Sequence, residues 1–364
     1  MSTFPKTLAV LEDGMRDGLH PGAQCYVSLR GETLANLAIG ESRAGVPMQS
    51  DTLTLWLSSG KPLTAVSIAQ LYERGRLSLD DKVGAFIPEF ARHGKESVTV
   101  RHLLTHTGGF RTADKLDEKL GWEEMLARIY ETPLEPGWVP GEKAGYHIFS
   151  SWLVLGEIVQ RLSGRPFATY VREEIFSPLG MDDSWLAMPP EKFHEYATRV
   201  GITHLTGKIP PQPHPYWDGE IGCAQCRPGG SARGPIRELG RFYEALLGVH
   251  ANGPAILKPE TIREFTARQR AGMFDRTFQH VVDCGLGFIL NSNRHGAETV
   301  PYGYGPHASE ETFGHSGVET SCAFADPARG LVVAWMCNGM PGRRRHQQRA
   351  RVINAAVYED LGLA

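Results

Sequence analysis

Strand signals in this chain fall near its two ends and are scarce between them, and that separation is the strongest constraint on its fold. Gln24 to Leu29 and Thr33 to Ile39 flank the turn Arg30-Gly31-Glu32, which predicts a β-hairpin. Toward the other end, Thr320 to Ala325 and Gly330 to Met336 are joined by Asp326-Pro327-Ala328-Arg329, and Cys284 to Leu290 reads as a third strand. Phe4, Leu8, Leu11 and Met15 recur at helical spacing up to a stop near Gly18, and Ile353, Ala356, Val357 and Leu361 give a closing amphipathic helix. From about 95 to 265 the periodicity is helical instead. Trp152, Leu155, Val159 and Leu162 mark one helix, ended by Gly164, and Leu239, Phe242, Tyr243 and Leu246 mark another. The expected class is therefore α+β: an antiparallel sheet built from both termini, flanked by N- and C-terminal helices, with an inserted and mostly helical lobe. A length of 364 residues suggests two domains in series. The pattern instead implies one interrupted domain, 1–95 with 266–364, around a helical insertion at 96–265.

Composition removes several function classes. With 41% hydrophobic and 22% charged residues the chain is neither disordered nor a small disulfide scaffold. Its 38 basic and 41 acidic residues leave a net charge of −3, so no general attraction to nucleic acid or anionic membrane follows. Arg343, Arg344, Arg345, Arg349 and Arg351 form the one basic cluster, expected to be a solvated helix face. The longest apolar run, Leu331 to Cys337, is far too short to cross a bilayer. The opening MSTFPKTLAVLEDGM has no signal-like apolar stretch, and a cytoplasmic location is the expectation. Six dispersed cysteines fit reduced thiols, and Cys223-x-x-Cys226 has no second pair to complete a zinc ribbon. His102 and His106 lack the glutamate of a zincin motif, and Asp80-Asp81 reads as local turn capping. No metal or cofactor is expected.

The chemistry concentrates in Leu55-Trp56-Leu57-Ser58-Ser59-Gly60-Lys61-Pro62, at the start of a helix running to about Arg74. At i and i+3 the side chains of Ser58 and Lys61 share a helix face, beside free N–H groups and the positive end of the dipole. Serine is a weak nucleophile until a base takes its proton, and lysine serves as that base only when burial or neighbours keep it neutral. Ser59 has no lysine three residues on. Two long loops also stand out as functional candidates, Thr198 to Gly230, rich in Pro and aromatics, and Asn291 to Thr312, rich in Gly and Tyr. Tyr216 and Trp217 on the first are candidates to line an apolar acyl or acceptor pocket. Trp152 shares a helix face with Leu155 and Val159 and belongs to the core.

Five ordered segments, spread over most of residues 20 to 340, give a specific resemblance. WLSSGKPLTAVSIAQLYERGRLSLDDKVGAFIPEF, VTVRHLLTHTGGF, PGEKAGYHIFSSWLVLGEIVQRLSGRPF with IFSPLGMDDS, PGGSARGPIRELGRFYEALL, and CGLGF with FGHSGVETSCAFADPARGLVVAWMCNG resemble the superfamily of class C β-lactamases, D-alanyl-D-alanine carboxypeptidases and esterases. The resemblance implies a β-lactamase/penicillin-binding-protein-like fold with the site in the cleft between sheet and helical lobe. It implies that Ser58 is the acylated nucleophile, Lys61 its base, and Tyr146 the phenol that helps deprotonate the serine and passes a proton to the leaving group. A tyrosine beside a lysine ammonium is expected to be pushed toward phenolate. His147 is the competing base. His315-Ser316-Gly317 stands where the family has a strand-edge triplet, with Gly317 letting substrate approach. Backbone N–H groups of Ser58 and Val318 would form the oxyanion hole.

Two departures bear on substrate. Ile148 stands where the family pattern Tyr-x-Asn has its amide, and His315 replaces the lysine that helps hold a substrate carboxylate. Both resemble the esterase and acyltransferase branches rather than those acting on β-lactams or stem peptides. The expected function is thus a serine hydrolase or acyltransferase acting on a small-molecule ester or amide. Its partners are an acyl donor and water, an amine or an alcohol as acceptor. Biosynthetic transacylation, β-lactamase or D-aminopeptidase-like activity and a non-catalytic binding domain are the alternatives.

Overall fold

In the computed structural model, which describes residues 4–115, 119–250 and 254–364, both ends of the chain meet in one seven-stranded antiparallel sheet. Its strands are β1 (Gly22–Leu29), β2 (Glu32–Arg43), β3 (Val46–Pro47), β4 (Ile289–Leu290), β5 (Phe313–Ser316), β6 (Ser321–Asp326) and β7 (Leu331–Cys337), in the spatial order β4-β5-β6-β7-β1-β2-β3. The seam between the two ends is the β7–β1 pair, where Cys25 lies opposite Trp335 and Val27 opposite Val333. The helices that matter for the site are α1 (Pro5–Arg16), α2 (Lys61–Glu73), α3 (Ser150–Ser163), α4 (Ile236–Leu247) and α5 (Arg343–Asp360).

Each face of the sheet is covered by helices. On one, α1 and α5 pack together, and Leu11, Ile353 and Val357 join Cys25, Val27, Val333 and Trp335. On the other, Leu239, Phe242 and Tyr243 of α4 join Tyr26, Val332, Ala334 and Met336. All seven residues of β7 are buried, which is why that strand reads as an unbroken apolar run rather than as an alternation. Helix α2 is buried from Lys61 through Leu71, so it is apolar around its circumference instead of along one stripe. It lies between α3 and β5, and this placement carries its first turn to the sheet edge.

Four expectations change. Ser58 sits on a separate 3-10 turn, Leu57–Gly60, that precedes α2. In the expected third strand only Ile289–Leu290 pairs as a strand, because Gly285 and Gly287 turn the preceding chain back toward Phe265 and Leu104. Helix α4 falls within the 96–265 span assigned to the helical lobe yet packs on β1, β6 and β7, while α2 from the sheet span packs on α3. Periodicity shows that α4 has an apolar face but not which layer receives it. Finally, Arg349 is buried, donating to the carbonyls of Leu19, Glu319 and Gly339, whereas Arg343, Arg344 and Arg345 are exposed. No helix among the described residues is long and apolar enough to cross a membrane.

Candidate active site

The turn carrying Ser58 is fixed from below. Leu57 has φ +50°, a left-handed conformation that a residue with a side chain adopts at some energetic cost. Ser321 Oγ donates to the Trp56 carbonyl at 2.7 Å, and Ser59 Oγ lies 2.9 Å from Ser321 Oγ and 3.2 Å from the His315 carbonyl. Ser59 is therefore a buried strut, and Ser58 is the serine that faces the cavity. Gly317 serves the same contact. A Cβ there would overlap the Trp56 carbonyl oxygen and the Ser321 hydroxyl, so the space left by its missing side chain is filled by the Ser58 turn and its strut.

Lys61 is fully buried, with Nζ 3.0 Å from Ser58 Oγ. It donates to the carbonyl oxygens of Ile148 and Gly229, each at 2.6 Å. No carboxylate forms an ion pair with it among the described residues. Burial brings its pKa down from 10.5 to about 7, with the charge of Asp114 acting in the opposite direction. A neutral amine has two protons and one lone pair. With the protons on the two carbonyls, the lone pair points to the Ser58 hydroxyl.

Tyr146 closes the other side. Its phenol hydrogen-bonds Ser58, and its ring lies 5.4 Å from Lys61 Nζ. The expectation of a phenolate is not met: burial holds the pKa well above the ordinary value, with the Ser58 hydrogen bond only a partial offset. Burial also brings the neighbouring amine down to about 7, which weakens the cationic charge available to stabilise a phenolate. The backbone around Tyr146 is set by a buried ion pair, Arg270 with Asp275 at 3.0 Å. Asp275 Oδ1 accepts from the N–H groups of Tyr146, Thr277 and Phe278 at 3.0, 2.9 and 3.0 Å, and Thr277 Oγ1 donates to the Tyr146 carbonyl at 2.9 Å. His147 turns away: ring Nε2 accepts from the Phe110 N–H at 3.3 Å, and the backbone N–H of His147 donates to His106 Nδ1 at 3.0 Å. That ring is engaged in the loop behind the site and does not line the cavity.

The cavity has a volume of about 390 Å³ and is lined by Ser58, Tyr146 and His315 together with aromatic and aliphatic groups. Phe278 stacks on Tyr146 with ring centres 4.6 Å apart, and Tyr302 continues the wall 5.4 Å from Phe278. His315 is buried; its Nδ1 is 3.0 Å from the Ser316 carbonyl, which requires a proton on Nδ1, while Nε2 has no partner. Burial and the nearby Lys61 bring its pKa down to about 3. It is thus a neutral ring and no substitute for a lysine cation. Ser316, Val318, Ile148, Glu319 and Arg343 form the rest of the lining, and among the described residues no carbonyl of a turn or loop accepts from the Ser58 or Val318 N–H.

Tyr216 and Trp217 do not reach this cavity. They line a separate hollow of about 60 Å³ with Leu55, Leu57 and Arg233, where the Trp217 ring stacks on His214 at 3.6 Å. The Pro-rich loop folds against the back of the Ser58 turn, so its aromatics reach the far side of Leu57. The loop does contribute the Gly229 carbonyl. A Cβ at Gly229 would lie 3.1 Å from Lys61 Nζ and 3.0 Å from Trp152 Cβ, and the Pro228-Gly229-Gly230 sequence is the signal that could have found it. Tyr302, from the other long loop, and Phe278 were missed because wall residues carry no motif. The remaining candidates are structural: His102 takes part in a capping box with Thr99, Asp81 accepts from the Ser78 N–H, Asp80 pairs with Arg101, and all six cysteines are unpaired thiols. No group of three His, Cys, Asp or Glu suited to a metal occurs among the described residues.

Comparison with known proteins fits this arrangement. The β-lactamase family model matches residues 9–358. The chain is 28% identical to the esterase EstB of Burkholderia gladioli, over 92% of this chain and 91% of that protein. It is 30% identical to penicillin-binding protein 4 of Amycolatopsis lactamdurans, over 90% and 83% respectively. Among solved structures, a family VIII carboxylesterase superposes with a TM-score of 0.81 at 25% identity, covering 99% of this chain and 98% of that one.

Proposed function

Because this chain belongs to the β-lactamase family and is a serine hydrolase or acyltransferase, we propose that it acts on small neutral esters through an acyl-Ser58 intermediate. The observation that carries this reading is the placement of Lys61 Nζ, buried, held by two carbonyls and 3.0 Å from Ser58 Oγ. Lys61 takes the serine proton as Oγ attacks the acyl carbon. The N–H groups of Ser58 and Val318 receive the developing oxyanion. Tyr146, held as a neutral phenol, donates its proton to the leaving alkoxide and is reprotonated by the Lys61 ammonium. An acceptor then enters, loses a proton to the same pair and takes the acyl group.

The preference for a neutral ester rests on what the cavity offers. His315 is uncharged, Ile148 brings no amide, and the inner wall is Tyr146, Phe278 and Tyr302. The cation of the lining is Arg343 at the mouth, and among the described lining residues a carboxylate-bearing β-lactam or stem peptide would find none beside His315. The test is turnover of p-nitrophenyl esters, a cephalosporin and a D-alanyl-D-alanine peptide, each with and without millimolar amine or alcohol. Ester turnover that depends on Ser58 is expected, and ring opening or peptide release faster than ester cleavage would refute the substrate assignment. Diversion of the acyl group to the added amine would mark transfer in place of hydrolysis.

A further inference from the structure

Asp114 lies outside the cavity lining, on the turn Arg111–Lys115, yet its carboxylate reaches the site through the backbone. Oδ2 accepts from the Ile148 N–H at 2.7 Å, and Oδ1 from the N–H groups of Phe149 and Ser150 at 3.2 and 2.8 Å. Phe149 and Ser150 begin α3, which has no cap from its own first residue; Asp114 supplies the acceptor from another segment. The same Ile148 peptide that donates to Asp114 presents its carbonyl to Lys61 Nζ, and α3 also places Trp152, whose ring is 5.3 Å from that nitrogen. One carboxylate thus fixes the carbonyl and the ring that bound two sides of the amine.

From these contacts we infer that Asp114 is the positioning residue for Lys61, clamping the Ile148 peptide and supplying, among the described residues, the negative charge that acts on the amine. The inference rests on the proposed role of Lys61 as base. Facing the amine from the other elements are the Tyr146 phenol and the rings of His106 and His315. Burial keeps all three uncharged near neutral pH, so among the described residues Asp114 has no electrostatic competitor there. In this chain the half-exposed Ile148 side chain makes no polar contact; its backbone does the work, and a backbone contact needs a clamp of this kind.

The experiment is the pH dependence of Ser58 labelling by a fluorophosphonate, which reads serine reactivity without a substrate. In the native protein the acid limb is expected near the Lys61 pKa of about 7. In Asp114→Asn the limb should move to lower pH by about half a unit, because the Lys61 ammonium loses the anion that favours it. The plateau should fall about tenfold as the carbonyl loses its anchor. Asp114→Glu keeps the charge, so its limb should stay within about 0.2 unit of the native one even if its plateau falls. A merely structural cap would lower the plateau in both variants and move neither limb, and that result overturns the inference. Should Asp114→Asn not fold, Asp114→Ser, an uncharged cap, is read in the same way. NMR titration of 15N-lysine-labelled protein separates the two failures. If Lys61 titrates lower in the variant while the native serine never labels, the base assignment fails and the Asp114 inference stands; an unmoved titration overturns the inference itself.

Discussion

At the floor of the cavity Lys61 is fully buried and each direction around its nitrogen is taken by Ser58, Ile148 or Gly229; at the mouth Ile148 is 50% and Val318 38% exposed, and Arg343 reaches in from the exposed start of α5. Between them stand Tyr146, Phe278 and Tyr302, joined by ring contacts. The floor is rigid and polar, with each proton's position dictated by a partner. The wall is apolar and offers area without direction. On the proposed mechanism bond making falls to the floor and choice of acyl group to the wall, and variants in the two regions should separate in kinetics.

The largest effect should come from the floor. Ser58→Ala and Lys61→Ala should each lower kcat for a p-nitrophenyl ester by about a thousandfold or more with KM little changed; a comparable kcat loss from Phe278→Ala would break the comparison. Tyr146→Phe, which keeps the stack on Phe278 and removes the proton, should cost about a hundredfold in kcat by the same assay. In the wall, Phe278→Ala or Tyr302→Ala should reduce kcat/KM for benzoate or hexanoate esters about fivefold, through KM, and leave acetate esters nearly unchanged. Trp217→Ala, in the separate hollow, should leave kcat/KM within about twofold of native, since it touches neither region.

Protons distinguish the regions as well. Activity should rise with pH through about 7, where Lys61 loses its proton. Stability follows a different curve. Burial lowers the pKa of His20 to about 3 and of His315 to about 3, and places His106 and His346 well below 6.5. Between about 3 and 6.5 the unfolded chain binds these protons and the folded one does not, so stability should fall as pH drops through that window. Thermal unfolding at pH 7, 5.5 and 4.5 checks this, with a progressively lower Tm expected.

Much of this was legible in the sequence. The hairpins at 22–43 and 321–337 and helices α1, α3 and α4 carry their own periodicity and turn residues, so local chemistry determines them. The serine and lysine share one short segment, and their spacing alone brings them together. What the sequence hid depends on tertiary placement. Trp217 and Tyr302 sit on comparably long, aromatic-bearing loops, but one folds behind Leu57 and the other beside Phe278. The state of Tyr146 is not legible in the sequence because desolvation, absent from any sequence pattern, outweighs the Ser58 hydrogen bond that favours the phenolate. Asp114 acts through backbone N–H groups, which leave no motif.

The most direct test of the central claim is mass mapping of the protein quenched during turnover of an activated ester. One acyl group on Ser58, formed at a rate that rises with pH through about 7 and lost on incubation with water or amine, is the predicted result. An acyl group on Ser59 or on any other residue, or turnover that persists in Ser58→Ala with no adduct in the native protein, would contradict it.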